Sequence, residues 1–551
     1  MNRRNPSTVL FALAVVAAPV HAQEAAAAAE AANYGFLSVL PPLVAIGMAL
    51  AFRQVIPALF VGLWFGAWTL NGFDIAGLFK GLLETVEVYV RGSLADSDNA
   101  AIILFSLMIG GMVGIISRNG GMQGVVNAIA HLATSARRAC LATGLMGLAV
   151  FFDDYANTLV VGNAMRPVTD RLRVSREKLA YIVDSTAAPV ACLALVTTWI
   201  GYQVGLIDDA LTRLGAEQDA YAVFLGSVVY SFYPILAIFF VFLVVGRGRD
   251  FGAMLVAERR ARHEGEVSPD VAGAAAETMP EEIIEPHPDR PQRALNAVIP
   301  VATLVLTVIG GLFVTGGGEG KNVREIIGDA DSYRALLWGS LLGVFVAAAL
   351  SIGQRVLSLA ETVDAWFRGT RSMLFAMIIL VLAWSLSGVT EALGTAEFLA
   401  QVLGDAVPAG VLPAMVFLLA AATAFATGSS WGTMGILMPL IVPLLWTVTG
   451  GLEANPPVIY GAIASVLAGA VWGDHCSPIS DTTVLSSMAS GCNHIEHVRT
   501  QLPYAMLVGM VALIVAVLPS GFGVPWWICL LLSAALLAGF LQFAGQRAED
   551  R

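Results

Sequence analysis

Long apolar segments recur along almost the whole of this 551-residue chain, and they restrict the folds that it can adopt. Each has the length, at least about 17 residues, that a helix needs to cross the roughly 30 Å hydrocarbon layer of a membrane. Only 13% of the residues are charged, about half the share in an average soluble domain, so a soluble enzyme is excluded. We expect an all-α polytopic membrane protein. Eleven crossings are predicted, over residues 36–53, 55–73, 100–117, 179–205, 221–246, 297–316, 335–353, 372–390, 458–490, 502–519 and 524–543.

The charge balance and the cysteines exclude other classes of function. The chain has 41 acidic and 30 basic residues, a formal net charge of −11, and offers no basic surface that could neutralise nucleic-acid phosphates. Its five cysteines lack CxxC spacing, so neither a disulfide framework nor a zinc site is indicated. We therefore expect no enzymatic activity, no nucleic-acid partner and no cofactor.

Residues 1–22 have the pattern of a secretory signal peptide. Arg3 and Arg4 precede a short apolar run that ends in the small-residue sequence VHA. The alternative is a first transmembrane helix, but about 12 apolar residues are too few to cross a bilayer. The acidic, alanine-rich segment 23–35 is then periplasmic, and we expect the protein in the bacterial inner membrane.

Two further apolar stretches, 139–165 and 411–447, are predicted to enter and leave the membrane on one face as re-entrant hairpins. The first has basic residues on both sides, and Lys and Arg favour the cytoplasmic face. The second lies in a run from Ser372 to Val498 that contains no Lys or Arg, so we expect it to enter from outside. Each hairpin follows three crossings and precedes two. Because five crossings is an odd number, the second half starts on the opposite side of the membrane from the first. The pattern therefore predicts an inverted-topology repeat, which is typical of secondary transporters.

The predicted organisation is a first repeat at 36–246, a cytoplasmic linker at 247–296, a second repeat at 297–519, and an extra helix with a cytoplasmic tail at 520–551. The linker is rich in Glu, Pro, Arg and Ala. We expect it to be largely disordered and without chemistry of its own.

Carboxylates inside the apolar segments mark candidate functional sites, because a charge at the bilayer centre costs at least about 2.5 kcal/mol. Asp153 and Asp154 lie at the centre of the first hairpin, and Asn157 follows one turn later. These residues are candidate ligands for a cation or proton. The alternative for one of the two carboxylates is to cap the returning helix.

The next crossing contains Asp184, Ser185 and Thr186 a few residues before Pro189. The proline removes a backbone hydrogen bond and so exposes carbonyl groups beside these side chains. Such hard oxygen ligands suit a small cation. The alternative is a kinked structural helix whose hydroxyls bond back to its own carbonyls.

The second half has polar residues at the matching places. The tip of its hairpin is uncharged and either contacts an anionic substrate or a cation, or serves only as a small-residue packing loop. Its polar residues are Thr427, Ser429, Ser430 and Thr433. The following crossing has a polar break whose candidate ligands are Asp474, His475, Ser477, Asp481 and Thr482. His475 would carry protons or be a buried structural residue.

Three other polar residues are expected to have ordinary roles. We expect Lys178 to set the topology and to hold lipid phosphates. His494 and His497 flank the last cytoplasmic turn and are expected to be solvated.

Four strings in this sequence, FFDDYANTLVVG, DSTAAPV, TGSSWGTMGILMP and GDHCSPISDTTVLSS, resemble the NhaC-type sodium/proton antiporter family. The similarity spans both halves, from about residue 36 to 520. The resemblance implies secondary active transport that couples Na⁺ and H⁺ across the inner membrane, with a rocking or elevator-like motion of the hairpin region. Family members also include a malate/lactate exchanger and carriers proposed for amino acids.

The sequence therefore predicts a Na⁺/H⁺ antiporter in which Asp154 and Asp184, with Asp474 or Asp481, form one midplane site that holds either Na⁺ or protons. The alternative is a sodium-coupled transporter of an organic acid or amino acid. An intramembrane aspartyl protease is disfavoured because the motif order around Asp154 and Asp474 does not fit that class. Expected partners are membrane lipids and the transported ions, and the oligomeric state stays open, a homodimer included.

Overall fold

The computed structural model describes residues 34–52, 54–130, 132–269, 290–317, 330–403 and 407–549, together with residues 284, 286 and 326. Within these ranges all regular structure is helical, apart from two antiparallel backbone hydrogen bonds of 2.9 Å between Asp250 and Gln546. The predicted all-α class is confirmed. The predicted signal peptide and most of the segment 23–35 lie outside the described residues.

The first half contains thirteen α-helices in the described part of the chain. In chain order they are α1 (Leu40–Phe52), α2 (Val55–Leu70), α3 (Ile75–Glu84), α4 (Arg91–Ala95), α5 (Ser97–Arg118), α6 (Gly121–Ala130), α7 (Ala136–Ala149), α8 (Asp154–Arg171), α9 (Arg176–Ser185), α10 (Ala188–Leu193), α11 (Ile200–Arg213), α12 (Ala220–Val228) and α13 (Phe232–Arg247). A 3-10 turn at Gly35–Val39 precedes α1, and a π-helical stretch at Thr85–Val90 joins α3 to α4.

Helix α14 (Gly252–Arg259), extended by a π-helical turn at Arg260–Glu264, leads towards the second half. The helices that follow in the described residues are α15 (Leu295–Gly316), α16 (Ser332–Gly353), α17 (Leu359–Ser372), α18 (Leu374–Ala392), α19 (Thr395–Leu403), α20 (Leu412–Thr427), α21 (Ser430–Thr449), α22 (Pro456–Cys476), α23 (Asp481–Ser490), α24 (His494–Val511), α25 (Leu518–Gly521) and α26 (Trp526–Ala544).

The two halves repeat the same order of elements. In each, two helices precede an amphipathic helix (α3 or α17), and a long third helix, a short helix, a helix pair, a broken helix and a final helix follow. This is the order of segments from which the inverted repeat is predicted. The orientation of the halves in a membrane and the bounds of the repeats stay predictions.

Among the described residues, nine helices are long and apolar enough to cross a membrane, and the pair α12 and α13, bent by 44°, provides a tenth candidate. Both arms of the second hairpin, α20 and α21, are among the nine, so its re-entrant form stays a prediction. The first two predicted crossings correspond to the shorter apolar helices α1 and α2. The chain is a multi-pass membrane protein, and the exact number of crossings stays a prediction.

The predicted crossing at 179–205 is broken in two places. Helix α9 ends at Ser185, α10 ends at Leu193, and the chain becomes helical again only at Ile200. Pro189 lies in the first turn of α10, where its missing N–H removes no helical hydrogen bond. The breaks therefore place irregular backbone deep inside the protein, where side chains and carbonyl groups of other helices surround it.

Close backbone contacts hold the amphipathic helix of the second half against the first half. A Cβ atom on Gly369 of α17 would lie 2.2 Å from the carbonyl oxygen of Gly110 on α5. A Cβ atom on Gly114 would lie 2.2 Å from the carbonyl oxygen of Ala365. Only glycine permits this approach, and small residues of this kind are typical of packed transmembrane helices.

The start of the predicted linker is folded, which differs from the expectation of a largely disordered segment. Met254, Leu255, Ala257 and Ala261 are buried at helical spacing, so this short stretch does have an apolar face. Lys178, expected at the lipid surface, is buried and pairs with Asp250 at the start of this segment. The expectation for Lys178 was wrong because a buried carboxylate from the linker supplies its partner.

Candidate functional site

In each half, the tip of the helix pair packs on the break of the following broken helix. In the first half, the backbone N–H of Thr198 donates to the carbonyl of Phe152 at 2.9 Å. In the second half, the Ser477 hydroxyl donates to the carbonyl of Phe425 at 2.7 Å. Gly428 at the second tip has a φ of +69°, and a Cβ there would lie 2.4 Å from the carbonyl oxygen of Ile479. The polar residues of both tips and both breaks are therefore brought together inside the protein.

Asp153 and Asp154, at the first tip, have different environments. Asp153 is the N-cap of α8, and its Oδ1 accepts from the N–H of Ala156 at 2.7 Å. Asp154 is the first residue of α8 and is 1% exposed. Neither of its carboxylate oxygens has a hydrogen-bond partner among the residues that the structure describes.

Several other buried polar atoms in the helices around Asp154 also lack hydrogen-bond partners in the described chain, as do His497 and Gln501 Oε1 beside Asp184. The Trp199 side chain lies beside the Asp154 carboxylate and interacts with it, although the contact does not have the geometry of a hydrogen bond. Thr198 lies beside Asp153, and its hydroxyl also lacks a partner in the described chain. Gln203, one turn further along α11, likewise has no partner there for either side-chain polar atom. The Gln203 side chain lies beside Cys192. We call Asp154, Asn157, Thr198 and Trp199 the Asp154 centre.

Asn157 connects the first hairpin to the break that follows α9. Its Nδ2 donates to the carbonyl groups of Gly147 and Thr186, both at 2.8 Å. Its Oδ1 has no partner among the described residues. Because leaving a buried polar group unsatisfied costs about 1–3 kcal/mol, and more for a charged group, this cluster is unfavourable unless it serves a purpose.

Asp184, at the end of α9, is fully buried and fully hydrogen bonded. The Ser486 hydroxyl donates to Oδ1 at 3.1 Å. The Thr483 hydroxyl donates to Oδ2 at 3.1 Å, and Gln501 Nε2 donates to the same oxygen at 2.5 Å. Asp184 belongs to the first broken helix and these donors belong to α23 and α24, so the carboxylate links the two halves.

Two histidines flank the Asp184 carboxylate. Nε2 of His475 lies 3.6 Å from Oδ2, and Nε2 of His497 lies 3.5 Å from the same oxygen. The Tyr233 hydroxyl lies 2.8 Å from Nδ1 of His475, and Gln501 Nε2 also donates to the His475 carbonyl at 2.9 Å. Together these residues, with Thr483 and Ser486, form what we call the Asp184 centre.

The expectation that His497 is solvated was wrong, because its side chain is completely buried. Helix α24 begins at His494, whereas the predicted crossing begins at residue 502. His497, Gln501 and Tyr504 lie at i, i+4 and i+7 on one helix face. This helical spacing could have predicted that His497 is buried, but the polar residues before the apolar run concealed it. His494 is half-buried, with its Nδ1 at 3.0 Å from the Ser487 hydroxyl.

The remaining predicted residues of the breaks have different surroundings. The Thr482 hydroxyl donates to Asp474 Oδ2 at 2.9 Å. Ser185 lies 3.4 Å from His475 Nε2, whereas Thr186 bonds back to the Ile182 carbonyl at 2.8 Å, as the structural alternative predicts. Asp481 lies on the wall of a cavity of about 470 Å³, which Tyr155 and Trp431 also line.

The hydroxyls at the second tip bond mainly within the tip itself. Ser429 accepts from the N–H of Gly432 at 3.2 Å and caps α21. Thr427 donates to the Thr423 carbonyl at 2.8 Å, and Thr433 donates to the Ser429 carbonyl at 3.0 Å. Ser430 is buried.

Trp431, not selected from the sequence, connects the second tip to the first break. Its ring centroid lies 5.2 Å from that of Trp199 and 4.7 Å from that of Tyr202. The Tyr202 hydroxyl donates to the Trp431 carbonyl. The second tip therefore packs against the Asp154 centre through aromatic side chains.

The fold and these contacts define a class of protein: a helical membrane transporter of two similarly ordered halves, whose buried polar centres lie at broken helices. Comparisons with known proteins agree. A model of the Na⁺/H⁺ antiporter family matches residues 190–520. An uncharacterised protein of Haemophilus influenzae is 33% identical over 479 residues, which cover 86% of this chain and 88% of that protein.

Two further relatives are similar over part of the chain. The arginine/ornithine antiporter ArcD of Halobacterium salinarum is 28% identical over 222 residues, 40% of each chain. The malate-2H⁺/Na⁺-lactate antiporter of Bacillus subtilis is 31% identical over 164 residues, 29% of this chain and 34% of that protein.

The chain belongs to the Na⁺/H⁺ antiporter family, which confirms the family predicted from its motifs. It is therefore an antiporter of the Na⁺/H⁺ type or a related one. Placement in a bacterial inner membrane fits the antiporter relatives.

Proposed function

We propose that the protein exchanges Na⁺ for H⁺ and that the Asp154 centre is where the two ions compete. The observation that carries the proposal is the Asp154 carboxylate, which is buried and has two oxygens without hydrogen-bond partners in the described chain. A buried carboxylate that accepts no hydrogen bonds is stable only if a proton or a cation neutralises it. Holding one or the other in turn is the requirement for exchange.

The neighbouring oxygens suit a small hard cation. Asn157 Oδ1 and the Thr198 hydroxyl have no partners among the described residues and belong to the tip and the break that meet at Asp154. Together with the Asp154 carboxylate they are oxygen ligands of the kind that Na⁺ takes, like other hard cations. Irregular backbone at the break adds carbonyl groups.

The Asp184 centre has a second role in this proposal. Its carboxylate already accepts hydrogen bonds from Thr483, Ser486 and Gln501, so a cation would have to displace them. We propose that the Asp184 carboxylate holds the broken helices in contact and exchanges protons with its two histidines. This proposal divides the single site predicted from the sequence into two centres.

The test is collapse of a preformed pH gradient by Na⁺ in vesicles that hold only this protein, with no organic solute. We expect Asp154→Asn to reduce the response by at least about 100-fold, since it removes a charged ligand worth roughly 3 kcal/mol. The matched control is Asp153→Asn, because asparagine caps a helix nearly as well as aspartate. Equal activity of the two variants would contradict the proposal.

A second candidate is a sodium-coupled exchanger of an organic acid or amino acid. The cavity of about 470 Å³ beside Asp481 and Trp431 is larger than a bare ion needs, and two relatives are named as antiporters of such solutes. This function predicts no Na⁺ response in solute-free vesicles and a response once the right carboxylate or amino acid is added. Asp481→Asn and Ser430→Ala would then lower solute uptake more than Na⁺ binding.

The arrangement in the membrane belongs to the same proposal. We propose that repeats 36–246 and 297–519 have opposite orientations and that both polar centres lie near the bilayer midplane. Accessibility of single introduced cysteines near Asn71 and Gly353, the ends of corresponding second helices, tests this. Labelling of both positions from the same side would contradict it.

A further inference from the structure

Asp250 lies two residues before α14, at the folded start of the linker, and contacts two of the helices that contribute to the Asp184 centre. Its Oδ1 accepts a charged hydrogen bond from Lys178 of α9. The same oxygen accepts from the Tyr504 hydroxyl of α24 at 2.8 Å. Asp250 and Lys178 are 5% and 3% exposed, so the ion pair is buried.

Both helices also carry residues of the Asp184 centre. Lys178 precedes Asp184 by six residues, about 9 Å along α9. Tyr504 lies on the face of α24 that also presents Gln501 and His497. A displacement of α9 relative to α24 would therefore change the contacts of Asp184 with Gln501 and His497 directly.

Further contacts fix the linker segment itself. The Ser175 hydroxyl and N–H both donate to Glu258, at 2.7 and 2.8 Å, so Glu258 binds the N-cap of α9. Arg260 donates to Glu177 at 2.7 Å. The backbone of Asp250 pairs in both directions with that of Gln546 near the carboxyl end, at 2.9 Å.

We propose that Asp250, with Lys178 and Tyr504, is a positioning residue for transport: it holds α9 and α24 in the relative position that the Asp184 centre requires. The inference rests on the proposed function in one respect, namely that Asp184 takes part in exchange. It gives the linker a function beyond connecting the halves.

The experiment compares exchange by the full-length chain in vesicles with two variants. Removing one partner alone would leave an uncompensated buried charge and threaten folding. We therefore use Lys178→Met/Asp250→Asn, which removes both charges, and Tyr504→Phe, which removes one hydrogen bond. The control is Arg368→Met/Asp364→Asn, an exposed ion pair of 2.9 Å within α17.

We expect the first variant to lower the maximal exchange rate about tenfold and Tyr504→Phe about threefold, because small displacements of functional groups have effects of this order. The Na⁺ KM should stay within about twofold, since the Asp154 centre is separate. The pH at half-maximal rate should shift. The titratable groups around Asp184 are Asp474, His475 and Cys476 on α22, Tyr233 on α13 and His497 on α24.

If Asp250 had a purely structural role, the variants would contain less active protein. The pH profile, the KM and the rate per active molecule would then stay unchanged. A normal rate and pH profile in both variants, at equal amounts in the membrane, would overturn the inference. If the double variant fails to insert, Tyr504→Phe decides alone. Asp184→Asn in the same vesicles separates the two proposals: if it exchanges normally, the role of Asp184 fails, whatever the linker variants show.

Discussion

The Asp154 and Asp184 centres are both built on motifs that were predicted from the sequence, but their carboxylates differ in the hydrogen bonds that they accept. Asp184 is fully buried and accepts from Thr483, Ser486 and Gln501. Asp154 is equally buried and accepts from no described residue. We infer from this difference that burial of a carboxylate does not by itself identify an ion site. A satisfied carboxylate holds its surroundings together, whereas an unsatisfied one requires a ligand from outside the protein.

The comparison also separates the elements that each centre joins. The Asp154 centre lies within the first half, between the hairpin tip and the break before α11, and contacts the second half through Trp431. The Asp184 centre has its donors on α23 and α24 of the second half. We therefore propose that ion binding depends on the Asp154 centre and that the position of the broken helices depends on the Asp184 centre.

The largest expected effect is the difference between exchange and Na⁺ binding in a variant of Asp184. We expect Asp184→Asn to reduce exchange about 100-fold, because the amide replaces a charged acceptor of three hydrogen bonds. Na⁺ binding should change less than about threefold, as for distant, independent sites. Binding is measured as the rise in unfolding temperature of the purified protein when NaCl replaces choline chloride.

Asp154→Asn should give the opposite pattern in that binding measurement, with no Na⁺-dependent rise in unfolding temperature. If Asp184→Asn also abolishes the rise, the two carboxylates share one site, as the sequence alone predicts. The comparison between the centres would then be wrong.

A smaller effect is expected for His497. His497→Gln keeps a side chain that can donate to Asp184 but cannot carry a charge, so exchange should fall about tenfold and become less dependent on pH. The control is His494→Gln, on the same helix, whose side chain is half-buried and bonded to Ser487 and to the Pro478 carbonyl. The measurement is the initial rate of exchange in vesicles between about pH 6 and 9.

Equal pH profiles for the two histidine variants would show that His497 is only a packing residue. A complete loss of exchange in His497→Gln would instead place a proton-carrying step at this histidine. Either result sharpens the division of roles between the centres.

Much of the fold could be predicted from the sequence, because charge is so costly in a membrane that polar breaks stand out. The tip at Asp153 and Asp154 and the break after Asp184 were found in this way. The family was identified from the same motifs. The partners of Asp184 could not be predicted, since Thr483 and Ser486 reach it only through packing between the halves.

Other omissions have local causes. His497 and Gln501 precede the apolar run of α24 and therefore resemble a polar loop. The folded start of the linker was missed because its apolar face, around Met254 and Ala261, is only two turns long. In each case the residue is important because of a tertiary contact, and composition carries no information about such contacts.

The smallest expected effect tests which oxygens complete the Asp154 centre. Thr198→Val removes a buried hydroxyl that has no partner among the described residues and keeps the shape of the side chain. If that hydroxyl binds Na⁺, the Na⁺ KM should rise about three- to tenfold at an unchanged maximal rate, as for loss of one neutral ligand. Thr143→Val is the matched control, because this buried hydroxyl donates to the Ala139 carbonyl of its own helix. An unchanged KM with a higher unfolding temperature would mean that Thr198 was only an unsatisfied polar group, since its removal relieves a desolvation cost, and the cation ligands would then be Asp154, Asn157 and backbone carbonyls.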